Sequence, residues 1–332
     1  GGLLWFVRPD PAWVLPALAL AVVASIAFEL ATVFYNAMLP DLVPPARIGR
    51  WSGWAWGIGY AGGLACLVVA LVGLVMTDRP WFGLDKAQAE HVRAAAPLTA
   101  LWFAVFSLPL FLLTPDRPPT GIRAWAAARE GLGQLWHTVR HLRAEANIAR
   151  FLAARLFYID ALNTLFAFGG IYAAGTFGMG FDEVILFGIA LNVTAGLGAA
   201  AFAWIDDWVG PKPTILAAIV GLIVFGIGVL LIDTKAWFWV LGLALGVFVG
   251  PAQAASRSLM AHLAPPDRES EMFGLFALSG KITAFMGPAA LAWATLAFDS
   301  QRAGMATIIV FFAIGFAIML TVRAPAGQPR RP

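Results

Sequence analysis

The chain has 332 residues, of which 60% are hydrophobic and 12% are charged, and its net charge is +3. Because an average soluble domain carries about 25% charged residues, this composition excludes a soluble protein with one core and indicates a chain dissolved largely in lipid. The basic residues lie in loops between apolar runs, so they indicate membrane topology and argue against nucleic acid as a partner.

Nine apolar runs follow a short apolar stub at residues 1–7. Most hold roughly 20 apolar residues, the length of helix that crosses about 30 Å of hydrocarbon. We therefore predict an all-α polytopic membrane protein with nine spanning helices. The predicted spans are residues 12–39, 52–76, 94–114, 148–175, 184–205, 214–232, 236–256, 272–297 and 303–322.

A polar linker divides these spans into two groups. Residues 1–114 form the remainder of an amino-terminal bundle, 115–147 the linker, 148–323 a six-helix bundle and 324–332 a tail. From Arg123 to Arg143 the linker is either a basic amphipathic helix on the membrane surface or a merely solvated connection. His137 and His141 are spaced one helical turn apart, but no third ligand is near, so we predict no metal and no cofactor.

The basic residues predict the orientation of the chain. The Arg47 loop, the linker, the Lys212 loop, the Arg268 loop and the tail share one side of the membrane. The other side holds fewer basic residues, namely Arg8, Arg79, Lys86, Arg93, Lys235 and Arg302. The positive-inside rule therefore places the first side and the carboxyl terminus in the cytoplasm, with the chain in a cell inner (plasma) membrane.

An internal repeat relates the two groups of spans. Residues 42–53 align with residues 263–274, 221 positions later, with identical leucine, paired prolines, arginine and glycine. Each copy lies between two apolar helices, so we interpret the match as a duplication. At this offset three helices upstream of Gly1 would complete two six-helix halves. We expect the chain as written to be inactive without them.

Two six-helix halves in parallel repeat, joined by a basic linker, resemble the major facilitator superfamily. Residues 206–212 resemble that superfamily's Asp-x-x-Gly-x-Arg/Lys loop, and residues 34–40, 57–63 and 250–257 resemble the vacuolar amino-acid effluxer family linked to autophagy and its bacterial relatives. The resemblance extends from the family's fourth helix to its twelfth. It implies a monomeric, lipid-embedded secondary transporter for a small solute such as an amino acid or related metabolite, working by alternating access, with the proton as the candidate coupling ion.

Four charged residues fall within the predicted spans: Glu29, Arg155, Asp160 and Lys281. Such a charge costs roughly 2.5–3.5 kcal/mol on insertion scales, so it is a functional candidate by default. Arg155 is near enough to the cytoplasmic end to snorkel, and we set it aside. We predict that Lys281 attracts a carboxylate of the solute or holds a carboxylate partner, and that Asp160 or Glu29 carries the coupling proton. The alternative is a static buried ion pair.

Uncharged polar residues within the spans extend this predicted site. Asn163 and Thr164 follow Asp160 at the spacing of one helix face, and Asn192 and Gln253 are weaker candidates for contact with the solute. The alternative for these amides is hydrogen bonding between helices, worth about 0.6 kcal/mol each.

A second group of residues is predicted to gate the path. Arg47 and Arg268 of the repeated loops could bond helix ends of the opposite bundle, or could only set topology. Gly250 and Pro251 remove a backbone donor within a helix and are predicted to form a hinge. Asp207 and Arg257 lie in the segments that carry the resemblance, and we assign them to the same gate. The glycines at four-residue spacing predict close helix packing.

Two further classes of protein remain as alternatives. A non-transporting membrane scaffold or receptor could keep this fold, but it would gain little from charges within the membrane. A membrane enzyme would need a nucleophile, metal ligands or a His/Asp pair, and none is evident in the sequence, so we predict that the protein is not an enzyme. Solute flux in vesicles separates the first alternative from a transporter.

Overall fold

The computed structural model describes residues 1–115, 121, 123–141 and 145–323, and every regular element in these ranges is helical. Short helical turns connect eleven main helices. These are α1 Val14–Ala37, α2 Ile48–Ala70, α3 Ala95–Leu113, α4 Ala124–His141, α5 Ala146–Phe177, α6 Phe181–Val209, α7 Pro211–Leu231, α8 Lys235–Leu263, α9 Glu269–Ser279, α10 Met286–Phe298 and α11 Gln301–Leu320. The predicted all-α polytopic fold is confirmed.

Eight of the nine predicted spans are uninterrupted helices of membrane-crossing length within the described part of the chain. The ninth, predicted as one helix over residues 272–297, is two helices, α9 and α10, separated by turns at residues 280–285. The predicted continuity was therefore wrong at this point. Lys281, predicted within a helix, lies in the interruption instead. The linker forms α4, as the amphipathic pattern predicts, while the side chains of His137 and His141 lie outside the described residues.

The chain divides into two compact units, and the first contains Gly1–Thr32 and Ala61–Ala128. The turn at Gly2–Phe6 packs on α3, where a Cβ built on Gly2 would lie 3.8 Å from Ala100 Cβ. Arg93 holds this turn by donating to the Trp5 carbonyl, with the Arg93 Nε–O distance 2.9 Å. A π-helical turn at Leu71–Val75 ends α2, and Gly73 there leaves room for the Trp81 ring.

The second unit contains Val33–Tyr60 together with the described residues from Arg129 onward. It therefore includes both copies of the internal repeat and all of α5 to α11. Large buried side chains such as Tyr158, Phe151, Phe273 and Phe312 fill its core. The division into residues 1–114, 115–147, 148–323 and 324–332 stays a prediction.

Glycines let α6 and α8 approach closely in the second unit. Gly242, Gly246 and Gly250 face Phe187, Thr194 and Ala195 of α6, and a Cβ on any of the three would overlap α6 atoms. This agrees with the predicted packing role of the glycines along α8. Gly59 differs, because a Cβ there would meet nothing within 4 Å in the described part of the chain.

Candidate functional site

Asp160 on α5 binds the beginning of the half-helix α10. Its side chain is 1% exposed, and its Oδ2 accepts a hydrogen bond of 2.8 Å from the Gly287 N–H. Gly287 is the second residue of α10, so its N–H has no partner within the helix. A carboxylate at this position is also stabilised by the helix dipole. Asp160 Oδ1 has no hydrogen-bond partner among the described residues.

Arg155, one and a half turns earlier on α5, binds the end of the other half-helix. Its Nη1 donates to the Phe276 carbonyl at 2.5 Å and to Ser279 Oγ at 2.8 Å. Its guanidinium carbon lies 3.6 Å from the Phe276 ring centroid. A cation at a helix carboxyl end complements the dipole there. From the sequence, Arg155 was set aside because it lies near enough to the cytoplasmic end to snorkel. Its backbone carbonyl partner leaves no trace in a sequence.

The other residues of the predicted central site have different environments. Thr164 is buried beside Asp160 and donates to its carbonyl at 2.8 Å, whereas Asn163 is exposed. Lys281 is exposed within the interruption and has interactions of its own. Glu29 is half-buried on the part of α1 that belongs to the first unit. Asn192 bonds within its own helix, donating to the Gly188 carbonyl at 2.8 Å.

Arg257 on α8 joins the two copies of the repeat. Its Nε and Nη2 donate to Ser52 Oγ at 2.9 Å and to the Ser52 carbonyl at 2.7 Å. Its Nη1 donates to Asn36 Oδ1 at 3.3 Å, and its guanidinium carbon lies 5.7 Å from the Tyr35 ring centroid. Ser52 Oγ in turn donates to the Ala254 carbonyl at 2.7 Å. Neither Asn36 nor Ser52 was predicted from the sequence as a site residue.

Asn36 and Arg257 are 221 positions apart, which is the offset of the internal repeat. Equivalent residues of two symmetry-related copies meet only near the axis that relates the copies. The loop of the first copy also touches the second, since His262 Nε2 lies 3.2 Å from the Pro45 carbonyl oxygen. The two repeated loops therefore lie at the same end of the helices, as a parallel repeat requires.

Asp207, a predicted gate residue, binds the amino-terminal turn of α2. Its Oδ1 accepts from the Arg50 N–H at 2.9 Å, and its Oδ2 lies 3.2 Å from Arg50 Nε. Next to it, the carboxyl group of Asp206 fills the space that a side chain at Gly49 would need. The contact to Asp207 is thus made by Arg50, which was not predicted as a gate residue. The predicted gate residue Arg47 is exposed.

Arg268, the other predicted gate arginine, is paired with the linker and with its own helix. Its Nε lies 2.9 Å from Glu271 Oε2, and its Nη1 lies 3.0 Å from Glu145 Oε1. Its Nη2 also donates to Thr138 Oγ1 of α4 at 3.2 Å. Hydrogen bonds to these carboxylates, first that of Glu271, raise the pKa of the Arg268 guanidinium above its usual range. These contacts attach α4 to the beginning of α9.

Gln253 and the Gly250–Pro251 pair lie one to two turns from Arg257 on α8. Gln253 Nε2 donates to the Tyr60 hydroxyl at 3.2 Å.

Helix α8 continues through Pro251, whose missing N–H leaves the Val247 carbonyl without its helical partner. Gly198 of α6 approaches that carbonyl so closely that a Cβ would overlap it. The predicted hinge is thus, in this state, a tight helix contact.

The family model described as "Vacuole effluxer Atg22 like" matches residues 46–330. The chain is 25% identical over 320 residues to the uncharacterized MFS-type transporter YxiO of Bacillus subtilis, covering 95% of this chain and 72% of that protein. It is 23% identical over 301 residues to autophagy-related protein 22 of Cryptococcus neoformans, covering 84% of this chain and 53% of that protein. The chain thus spans about half the length of this fungal relative.

Two solved structures share the fold. FucP in the outward conformation superposes with a TM-score of 0.67 and 13% identity, covering 88% of this chain and 72% of that chain. The fucose:proton symporter FucP of E. coli superposes with a TM-score of 0.56 and 10% identity, covering 97% of this chain and 96% of that chain. The architecture of this chain is therefore that of a major facilitator transporter.

Proposed function

The chain belongs to the Atg22-like family of vacuole effluxers, and from that premise we propose that it moves a small solute, an amino acid or related metabolite, by alternating access. The family and the fold make it a secondary transporter. We further propose that the end carrying the repeated loops faces the cytoplasm of a cell whose plasma membrane holds the protein, since most basic residues of the loops lie at that end.

The contact between Asn36 and Arg257 is the observation that carries this proposal. Alternating access requires the two halves to meet at one end of the helices while the other end is accessible. Repeat-equivalent residues in direct contact support closure at the loop end. The bonds of Arg257 to Ser52 and of Arg50 to Asp207 lie at the same end. These polar bonds are made between repeat copies and can break without unfolding either copy.

The interrupted helix α9–α10 supports a central site and proton coupling. Broken helices near the midplane form ion and solute sites in many secondary transporters. Asp160 is buried there with one carboxylate oxygen unpaired among the described residues, so protonation of Asp160 removes a buried charge from this site. Proton uptake and release at Asp160 would then accompany the movement of α10, which Asp160 holds through Gly287.

Flux through the reconstituted protein tests the proposal. The complete protein is placed in proteoliposomes loaded with a mixture of amino acids, and the appearance of each outside is followed by mass spectrometry with and without a pH gradient. A saturable efflux that depends on the gradient supports a proton-coupled transporter. A well-folded protein that moves none of the amino acids under either condition would contradict the proposal and favour a scaffold with this fold.

A further inference from the structure

Arg257 is a buried cation whose partners are all uncharged among the residues that the structure describes. Its side chain is 5% exposed, and its three hydrogen bonds go to Ser52 Oγ, the Ser52 carbonyl and Asn36 Oδ1. Two arginines of the same unit, Arg50 and Arg268, each lie within 3.2 Å of a carboxylate oxygen. Arg257 thus carries an uncompensated positive charge between the two repeat copies.

Such a charge is costly unless something neutralises it. Burial of an unpaired ion is strongly unfavourable even after relaxation. Hydrogen bonds from a charged donor to neutral acceptors offset part of that cost, but they leave the charge in place. A carboxylate would neutralise it and would fit the planar guanidinium through two parallel hydrogen bonds. One guanidinium neutralises one carboxylate, whereas a phosphate group carries about −1.5 to −2 charges at pH 7 and would need a second cation.

The position of Arg257 gives an anion access to it during transport. Asn36 and Ser52 belong to the first repeat copy, whereas Arg257 lies on α8 of the second. When the loop ends separate, both neutral acceptors leave together and the guanidinium is uncovered. Gln253 lies one turn deeper on the same face of α8 and bonds Tyr60, so an amide and a phenol lie next along the path from Arg257.

We infer that Arg257 binds the carboxylate of the transported solute at the loop end of the path, taking the place of its bonds to Asn36 and Ser52. This inference rests on the proposed transport function and adds a recognition role to one arginine. The closed state keeps the guanidinium satisfied by neutral groups, and the open state presents it to an anion. Solutes that carry a carboxylate are then preferred over otherwise matched solutes that lack one.

Competition between acids and amides tests this preference. Proteoliposomes holding the complete protein are loaded with equal concentrations of amino acids and their amides, and the efflux of each is measured by mass spectrometry. We expect the wild-type protein to export the acids at least tenfold faster than the amides. Arg257→Gln should slow acid efflux at least tenfold more than it slows amide efflux, and so bring the two rates together. Arg257→Lys, which keeps the charge, should lie between them.

Ser52→Ala is the matched control, because it removes a neutral acceptor of Arg257 and keeps the cation, so the preference for acids should persist. If Arg257→Gln and Arg257→Lys slow acids and amides by the same factor, Arg257 only holds the helices together and the inference fails. Wild-type flux with no preference for acids also overturns it while leaving transport intact. Absence of flux of either class in the wild-type protein overturns the inference together with the proposed function.

Discussion

Arg155 and Asp160 lie on the same helix and bind opposite ends of one helix interruption. Arg155 donates to carbonyl and hydroxyl oxygens at the end of α9, and Asp160 accepts from the N–H of Gly287 at the beginning of α10. The cation meets the negative end of one helix dipole and the anion meets the positive end of the other. A broken span within lipid leaves backbone groups without partners, and α5 satisfies several of them.

Replacement of Asp160 by asparagine separates its charge from its hydrogen bond. Asparagine can still accept from the Gly287 N–H, but it cannot take up a proton. We expect Asp160→Asn to lose accumulation driven by a pH gradient at least tenfold and to retain solute exchange across the membrane at equal pH. Uptake under an imposed gradient, compared with counterflow, measures both. Gradient-driven accumulation at the wild-type level would remove Asp160 from the coupling mechanism.

Removal of the Arg155 guanidinium should destabilise the protein. Arg155→Gln loses charge-assisted bonds to the end of α9, each worth about 1.5–3 kcal/mol, so we expect a loss of about 2–4 kcal/mol. Arg8, which is exposed, offers a control, and Arg8→Gln should change stability by less than about 0.5 kcal/mol. Thermal unfolding of both variants in detergent gives the comparison, and equal melting temperatures would show that Arg155 does not hold the interruption.

The approach of Gly198 to the Val247 carbonyl predicts a position-specific effect of one methyl group. Gly198→Ala forces α6 and α8 apart and should cost about 1–3 kcal/mol. Gly188→Ala on the same helix is the matched control, because its Cβ would meet nothing within 4 Å among described residues, and the better helix propensity of alanine favours it by up to about 1 kcal/mol. The melting temperature should therefore fall in Gly198→Ala and rise in Gly188→Ala. Equal shifts of the two melting temperatures would refute the close contact.

The Arg50–Asp207 pair should contribute modestly to closure of the loop end. The Arg50 side chain is 38% exposed and that of Asp207 is 5% exposed, so screening limits the pair to about 1 kcal/mol. We expect Arg50→Gln and Asp207→Asn each to raise the rate of maleimide labelling of Gln253→Cys several-fold, in a Cys66→Ser background that removes the one native cysteine. The double variant should raise it by less than the product of the single effects. Unaltered labelling in all three variants would show that the pair does not restrain this end.

Composition and hydropathy predicted eight of the nine spans with their approximate extents. For the linker they left two alternatives, of which the structure shows the helix. The repeat also predicted two loops at the same end, which the contact of His262 with Pro45 bears out. Asn36 was within reach of the sequence, since adding the repeat offset to its number gives Arg257. Ser52 could not be predicted, because its bond to Arg257 depends on how two helices pack whose residues lie 205 positions apart in the chain.

The interruption at residues 280–285 could not be predicted from its own residues. This segment lacks proline and continues the apolar run on both sides of Lys281, so local pattern favours an unbroken helix. The groups that bind the broken ends, Arg155 and Asp160, lie more than 120 positions earlier in the chain. A charged side chain bonded to the backbone leaves no spacing signal in a single sequence, which is why Arg155 was set aside.

A disulfide between α2 and α6 tests alternating access most directly. A Cβ built on Gly57 lies 3.3 Å from Ala200 Cβ, close to the roughly 3.5–4.5 Å of a disulfide. The test pair is Gly57→Cys with Ala200→Cys in a Cys66→Ser background. The control pair in the same background is Gly2→Cys with Ala100→Cys in the first unit, where the two Cβ positions lie 3.8 Å apart. Oxidation should abolish solute flux in the first pair only, and reduction should restore it. Wild-type flux through fully crosslinked Gly57→Cys/Ala200→Cys protein would contradict alternating access by separation of α2 from α6.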